Sequence, residues 1–233
     1  MKKFDHVYTN GCSFTGDWYR RDRGEVVYGD LVAKHYNATL QNAGKPNSCN
    51  RRIIRSTVRD AIDFPPNTLA LIQLTFLHRT EQYSAVNDNN SWKFDREDYH
   101  ESIKPQEGGE FMTAFVNQFD ARAEFTALSS DVLMLASYFK QQGISYLIYA
   151  FPSLVEDVQQ RQELAATSLC YELRKDPAVM DLLNDSLFAE LTPGDYFYDA
   201  NGQAGEIGHP NTAGHELIAK ILTQLIDSTY QSY

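Results

Sequence analysis

The chain has 233 residues and a formal net charge of −10, with 42% apolar and 12% aromatic residues. This composition is typical of a globular protein and excludes an intrinsically disordered chain. The negative charge argues against a nucleic-acid partner, because proteins that bind phosphate backbones need a basic surface. The length fits one domain over residues 1–233.

The three cysteines, at positions 12, 49 and 170, are few and odd in number, which argues against a disulfide framework. They favour reduced thiols, and no Cys/His cluster has the spacing of a zinc site. We therefore expect neither a metal nor another cofactor.

No apolar segment follows the N-terminal lysines, and the run Leu69–Leu77 is too short to span a bilayer. We expect a cytoplasmic or otherwise soluble protein without a signal peptide; the oligomeric state stays open.

Strand and helix patterns alternate in the first part of the chain. In chain order they are a strand at Phe4–Tyr8, a helix at Val26–Tyr36, a strand at Ala38–Gln41, a helix at Cys49–Ile62 and a strand at Thr68–Thr75. Asn47 or Ser48 is predicted to cap the second helix. The third strand is almost continuously apolar, which is typical of a parallel sheet that is covered on both faces.

A polar stretch at about Glu81–Gly109 interrupts this alternation and is predicted to be an insertion or lid. The elements predicted after it are a helix at Ala121–Gln142 ended by Gly143, a strand at Ile144–Ala150, a largely helical region at Val155–Leu191, a short strand at Tyr196–Tyr198 and a last helix that opens at Asn211 or Thr212. The alternation predicts an α/β fold with crossover connections and a mostly parallel sheet.

Three loops that follow predicted strands contain polar residues and glycines: Gly11–Gly16, Asn42–Ser48 and Thr75–Arg79. Ligand sites of open parallel sheets form beyond the carboxyl ends of the strands. We therefore expect the three loops to lie along one edge of the sheet and to share a site.

Ser13 and His209 are the candidate reacting pair. Ser13 lies in the turn after the first strand, and His209 directly precedes the last helix. A serine hydroxyl is a weak nucleophile until a base takes its proton. Glu206, three residues before the histidine, is placed to fix its tautomer. The alternative is a structural turn in which Ser13 or Thr15 caps a helix. A metal site at His209 and His215 is discounted, because no suitable carboxylate or cysteine cluster accompanies them.

Oxyanion donors are the second requirement of acyl transfer. The Ser13 backbone N–H is one candidate. Asn42-Ala43-Gly44 offers a side-chain amide and a backbone N–H that no side chain obstructs. The alternative for Gly44 is a glycine in a left-handed turn.

These elements, in this order, resemble the SGNH (GDSL-like) hydrolase superfamily. The resemblance implies a flavodoxin-like three-layer α/β sandwich and a serine esterase, lipase or carbohydrate O-deacetylase activity. It assigns the nucleophile to Ser13, the oxyanion glycine to Gly44, and the last block to Glu206 and His209-Pro210. The ending His209–His215, followed by an apolar helix, is the closest match.

The chain departs from the pattern of this superfamily in three places. Cys12 replaces the usual aspartate beside the nucleophile, and Glu206 replaces the aspartate of the last block. The asparagine donor of the third block is missing from Gln73–Arg79. Thr75, Arg79 or Asn47 are candidates to replace it. Loss of one such donor costs about 3 kcal/mol of transition-state stabilisation.

Basic and polar side chains near the expected site are candidate substrate ligands. Arg79 suits an anionic substrate group, with an ion pair to Glu81 or another acid as the alternative. Arg20, after the serine turn, and Asn47 are further candidates. A second arginine cluster is expected to form a solvated helix face: Arg52, Arg55 and Arg59.

We expect hydrolysis of an ester on a small molecule or glycan. The alternatives are an acyltransferase that uses the same site, and a catalytically weak or inactive module for binding or assembly. A Cys12 nucleophile and a Cys12–Cys49 redox pair are less favoured than Ser13.

Overall fold

The computed structural model describes residues 3–16, 26–46, 48–80, 117–151, 154–155, 157–183, 188, 190–191 and 209–230. The strands are β1 (His6–Asn10), β2 (Thr39–Asn42), β3 (Thr68–Leu74) and β4 (Ser145–Ala150). The helices are α1 (Tyr28–Tyr36), α2 (Asn50–Ala61), α3 (Ala121–Gln142), α4 (Val158–Ala165), α5 (Ser168–Leu173) and α6 (Thr212–Tyr230). The predicted insertion at Glu81–Gly109 and the predicted strand at Tyr196–Tyr198 lie outside the described residues.

The four strands form one parallel sheet in the order β2-β1-β3-β4. Beyond β4, a parallel bridge between Ile148 and Val179 extends the sheet by one position. The fold is therefore the predicted flavodoxin-like α/β sandwich. The strand order reverses between β1 and β3, and the carboxyl ends at such a switch point form the usual ligand crevice of these folds.

Helices cover both faces of the sheet, which explains why its strands are apolar without alternation. Leu69 and Leu71 pack in a cluster with residues of α1 and α6, while Ala70 and Ile72 pack with residues of α2 and α3. All seven residues of β3 are buried. Among the described helices, none combines the length and the apolar character that crossing a membrane requires.

The helix ends follow the local sequence closely. Asp120 caps α3 by accepting from the backbone N–H of Arg122 and of Ala123, and Gly143 ends that helix with φ of 68°. Asn211 Oδ1 accepts from Gly214 N at 3.0 Å and caps α6, as predicted. The predicted Ser48 cap of α2 is wrong, because the N-cap residue is Cys49. The Ser48 hydroxyl instead donates to the Lys45 carbonyl at 2.8 Å.

Candidate active site

Ser13 lies in a tight turn directly after β1. The Cys12 carbonyl accepts from Thr15 N and from Gly16 N, at 3.0 Å each, so the segment forms one helical turn. The first N–H groups of a helical turn have no acceptor within the turn. Because Ser13 occupies the first position, its backbone N–H is one of these groups. The residue as a whole is only 9% exposed.

His209 meets this turn from the other end of the chain. Its Nε2 lies 2.8 Å from Ser13 Oγ, although the two residues are 196 positions apart. The Phe14 ring stacks on the imidazole, with 4.9 Å between ring centroids and 22° between planes. Glu206 lies outside the described residues, so the third member of the predicted triad stays a prediction.

Gln73 is the next-to-last residue of β3, is fully buried and is hydrogen-bonded to the serine turn. Its Oε1 accepts from the Thr15 hydroxyl, and its Nε2 donates to the Phe151 carbonyl and to Cys12 Sγ. Gly11 leaves room for this amide, because a Cβ there would lie 2.7 Å from Gln73 Oε1. The apolar β3 therefore contains a polar anchor that joins the ends of β1, β3 and β4.

A second buried chain of contacts leads from the turn to His215. The Thr15 and Tyr28 hydroxyls are 2.7 Å apart, and Tyr28 N donates to His215 Nδ1 at 3.2 Å. Burial raises the pKa of the Tyr28 phenol. Because His215 accepts at Nδ1, its neutral form has the proton on Nε2. Over the described residues, no group of three or more His, Cys, Asp or Glu side chains could hold a metal ion.

The second loop is hydrogen-bonded to the serine turn. Asn42 Nδ2 donates to the Thr15 carbonyl at 2.8 Å, and Asn42 Oδ1 accepts from Gly44 N at 2.9 Å. Both ends of the Asn42 amide are thus engaged, which differs from the expectation that it donates to an oxyanion. A Cβ on Gly44 would lie 2.8 Å from Gly16 N and from Thr15 Cβ. Since the one described glycine with positive φ is Gly143, Gly44 is needed for this close approach and not for a left-handed turn.

Thr75, at the end of β3, is held by an asparagine that the sequence analysis did not single out. Asn50 Oδ1 accepts from Thr75 N, and Asn50 Nδ2 donates to the Thr75 carbonyl, both at 2.8 Å. Thr75 is fully buried, and its hydroxyl has no hydrogen-bond partner among the described residues. Asn50 was missed because it is the first residue of α2, far from β3 in the sequence.

The predicted substrate ligands differ in where they lie. The Arg79 guanidinium lies over the Phe76 ring, 5.1 Å from its centroid. Arg79 also lines a small cavity between α2 and α3 together with Glu124 and Asp131. Arg51 lines the same cavity, and Glu81 lies outside the described residues, so both interpretations of Arg79 stay predictions. The other two predicted ligands lie outside the described residues: Arg20 and Asn47.

The expectation of a solvated arginine face on α2 is wrong for Arg52, which is only 4% exposed. Its guanidinium donates to Asn10 Oδ1 and to the Ala43 carbonyl. The sequence contained one indication that Arg52 is buried: it directly precedes the buried Ile53 and lies on the helix face that also contains Ser56 and Thr57. Arg59 does face solvent and pairs with Asp60.

All three cysteines are buried and none forms a disulfide: Cys12, Cys49 and Cys170. Cys12 is fully buried and accepts from Gln73, while Cys49 Sγ accepts from Arg52 N at 3.4 Å as the cap of α2. Both thiols therefore have structural contacts, and Ser13 remains the candidate nucleophile.

No family model matches this sequence, and no curated protein matches it. Solved structures do match over nearly the whole chain. They include a lipolytic protein of the G-D-S-L family from Veillonella parvula, with a TM-score of 0.50, 13% identity and coverage of 98% of this chain and 99% of that one. The psychrotrophic esterase EstA from Pseudoalteromonas sp. matches with a TM-score of 0.52, 10% identity and coverage of 98% and 100%. A catalytic mutant of the acetylxylan esterase Axe2 from Geobacillus stearothermophilus matches with a TM-score of 0.50, 13% identity and coverage of 97% and 95%. The chain therefore has the fold of the GDSL-like hydrolases, as its sequence motifs predicted.

Proposed function

We propose that this protein is a serine hydrolase that cleaves carboxylic esters. The observation that supports this most strongly is the 2.8 Å separation between Ser13 Oγ and His209 Nε2. This is the hydrogen-bond distance at which a base can take the proton of its nucleophile. The pair lies beyond the carboxyl end of β1, at the switch point of the sheet, where these folds bind ligands.

In the proposed reaction, Ser13 Oγ attacks the ester carbonyl while His209 Nε2 accepts its proton. The imidazolium then protonates the leaving alcohol, and an acyl-serine forms. A water molecule, deprotonated by His209, attacks the acyl group and releases the acid and the free serine. Glu206 is proposed to hold the imidazole Nδ1–H, which fixes the tautomer and stabilises the imidazolium.

We assign the oxyanion to the backbone N–H groups of Ser13 and Gly44, with the Thr75 hydroxyl as the candidate third donor. The Gly44 N–H now donates to Asn42 Oδ1, so it must be shared with that oxygen or released when the oxyanion forms. Asn42 is accordingly proposed as a positioning residue rather than a donor. Each donor of this kind contributes about 3 kcal/mol to the stability of the transition state.

The substrate class rests on analogy with the matched folds. One of them is named as an acetylxylan esterase, and an acetyl ester on a sugar or small molecule is the substrate that we propose here. The carbohydrate O-deacetylase type of activity is thus the finer form of the proposal.

A Ser13→Ala variant tests this function with p-nitrophenyl acetate as substrate. We expect kcat/KM to fall by about 1,000-fold or more, because the acyl-enzyme cannot form. Ser130→Ala is the matched control, since Ser130 lies on α3 and donates only to the Thr126 carbonyl of its own helix. Equal activity of Ser13→Ala and the wild type would refute the assignment.

Two observations favour the alternative of a non-catalytic binding module. The Gly44 N–H already has an acceptor, and the asparagine of the usual third block is absent. A fluorophosphonate probe separates the two, because only an activated serine is phosphonylated.

An acyltransferase uses the same acyl-enzyme, and added alcohols that capture the acyl group faster than water would identify it.

A further inference from the structure

Arg52 is a buried cation that contacts the second loop of the candidate active site and the end of β1, which leads into the serine turn. It lies on α2 and is only 4% exposed. Its Nη1 donates to Asn10 Oδ1 at 2.9 Å, and its Nη2 donates to the Ala43 carbonyl at 3.0 Å. We propose that Arg52 is a positioning residue that orients and polarises the oxyanion donor Gly44. This inference rests on the proposed function.

The argument begins with the peptide unit between Ala43 and Gly44. The carbonyl that Arg52 holds and the N–H of Gly44 belong to this same unit. A peptide is planar and trans, so its C=O and N–H point in opposite directions. Fixing the carbonyl therefore fixes the direction of the N–H. A charged donor on the carbonyl also polarises the unit, which makes its N–H a stronger donor.

The second hydrogen bond connects Arg52 to the serine turn. Asn10 is the last residue of β1, and its Oδ1 accepts from Gly11 N at 2.9 Å as well as from Arg52. Asn10 Nδ2 donates into α2, to Ser56 Oγ and Thr57 Oγ1, both at 2.9 Å. The amide is therefore locked with its oxygen towards Arg52, and the arginine holds the chain that leads to Ser13.

Only arginine has the geometry for this task. Its planar guanidinium can donate to two acceptors at once from a rigid fork, whereas the lysine ammonium is a point charge on a flexible stem. Burying a cation is costly. A helix that only needed to pack on the sheet would be served by an apolar residue at position 52.

The test compares Arg52→Met and Arg52→Lys with Arg59→Met and Arg59→Lys on the same helix. Arg59 is exposed and pairs with Asp60 at 2.7 Å. We expect kcat for p-nitrophenyl acetate to fall about 10- to 100-fold in Arg52→Met, with KM nearly unchanged, because displaced catalytic groups cost about this much. Arg52→Lys should recover part of the loss. Both Arg59 variants should keep the wild-type kcat.

Chemical rescue separates positioning from a loss of fold. Circular dichroism and urea unfolding are first used to choose a temperature at which every variant is folded. At that temperature, millimolar guanidinium should raise the activity of Arg52→Ala several-fold and leave that of Ser13→Ala unchanged. Methylammonium should raise the activity of Arg52→Ala by a smaller factor. If Arg52→Met does not fold, Arg52→Lys and the rescued Arg52→Ala decide the question.

Folded Arg52 variants that keep the wild-type kcat while the free energy of unfolding falls would overturn the inference and leave the proposed function intact. Loss of kcat that guanidinium does not restore, and that Arg52→Lys shares in full, would also overturn it. A wild-type protein that neither hydrolyses the ester nor reacts with fluorophosphonate would overturn the proposed function and this inference together.

Discussion

The Phe14 ring lies against the face of the His209 imidazole, with the ring centroids 4.9 Å apart. Phe14 is the residue after the candidate nucleophile, so the turn that presents Ser13 also holds its candidate base. Phe14 also forms a T-shaped pair with Phe151, with 5.1 Å between centroids and 71° between planes. The orientation of the base thus depends on an aromatic stack as well as on the predicted contact with Glu206.

Replacing Phe14 by leucine should lower kcat/KM for p-nitrophenyl acetate by about 3- to 10-fold. An aromatic pair contributes about 0.5–1.5 kcal/mol beyond its buried area, and about 1.4 kcal/mol corresponds to a tenfold change in rate. Phe188→Leu is the control, because Phe188 packs on Phe151 and Tyr149 in the same aromatic cluster. Similar losses of activity in the two variants would show that the stack has no special role.

Gly44→Ala should reduce kcat/KM by about 100-fold, while the protein stays folded. The new Cβ would lie 2.8 Å from Gly16 N and from Thr15 Cβ, so the second loop must move away from the serine turn. Displacing a catalytic group by about 1 Å is enough for such a loss.

Gly143→Ala is the matched control for this variant. Nothing lies within 4 Å of a Cβ at that position, but its φ of 68° is unfavourable for alanine. We expect it to lower the free energy of unfolding by about 1 kcal/mol without changing activity. Wild-type activity in Gly44→Ala would contradict the role of the close approach.

Asp176→Asn should destabilise the protein at neutral pH but not at low pH. Burial raises the pKa of the Asp176 carboxyl, but hydrogen bonds from Lys140 and Tyr146 outweigh this effect, so the net pKa lies below its ordinary value. A carboxyl whose pKa is lowered by folding contributes stability above its unfolded pKa. That contribution is lost as the pH falls through the lower, folded pKa.

Urea unfolding at pH 7 and at about pH 3 checks this dependence. At pH 7 the variant should lose about 2 kcal/mol of unfolding free energy, the usual contribution of charged hydrogen bonds, and the difference should shrink at the lower pH. Asp181→Asn is the control, because Asp181 forms an exposed pair with Arg174, and such pairs contribute little. A difference that is constant with pH would refute the assigned cause.

The sequence predicted the fold well because the spacing of apolar residues follows from which positions of a strand or helix are buried. The continuous apolar run of β3 indicated a strand that is covered on both faces, and all of its residues are buried. Gly143 ends α3 as predicted, because the left-handed backbone at a helix end suits glycine. The meeting of Ser13 and His209 was predicted from the need of a serine nucleophile for a base and from the resemblance to the SGNH hydrolases. Strand order predicted only that the three loops lie along one edge of the sheet.

Contacts between distant segments were the part that the sequence could not reveal. Periodicity along α2 does not show which loop the buried Arg52 meets, and the amide of Asn50 is satisfied by Thr75, 25 positions away. Asn42 was predicted to donate to an oxyanion, but its amide instead holds the second loop against the serine turn, because its partner lies in another loop. Polar residues in cores are satisfied by tertiary partners, and local pattern does not encode those partners.

Phosphonylation of Ser13 is the most direct measurement of the central claim. A fluorophosphonate probe should add one phosphonyl group to the wild-type protein, and peptide mass spectrometry should map it to Ser13. Labelling should be at least about 100-fold slower in His209→Gln, because that side chain cannot take the serine proton. A wild-type protein that stays unlabelled, or labelling of Ser13 at an equal rate in His209→Gln, would contradict the account.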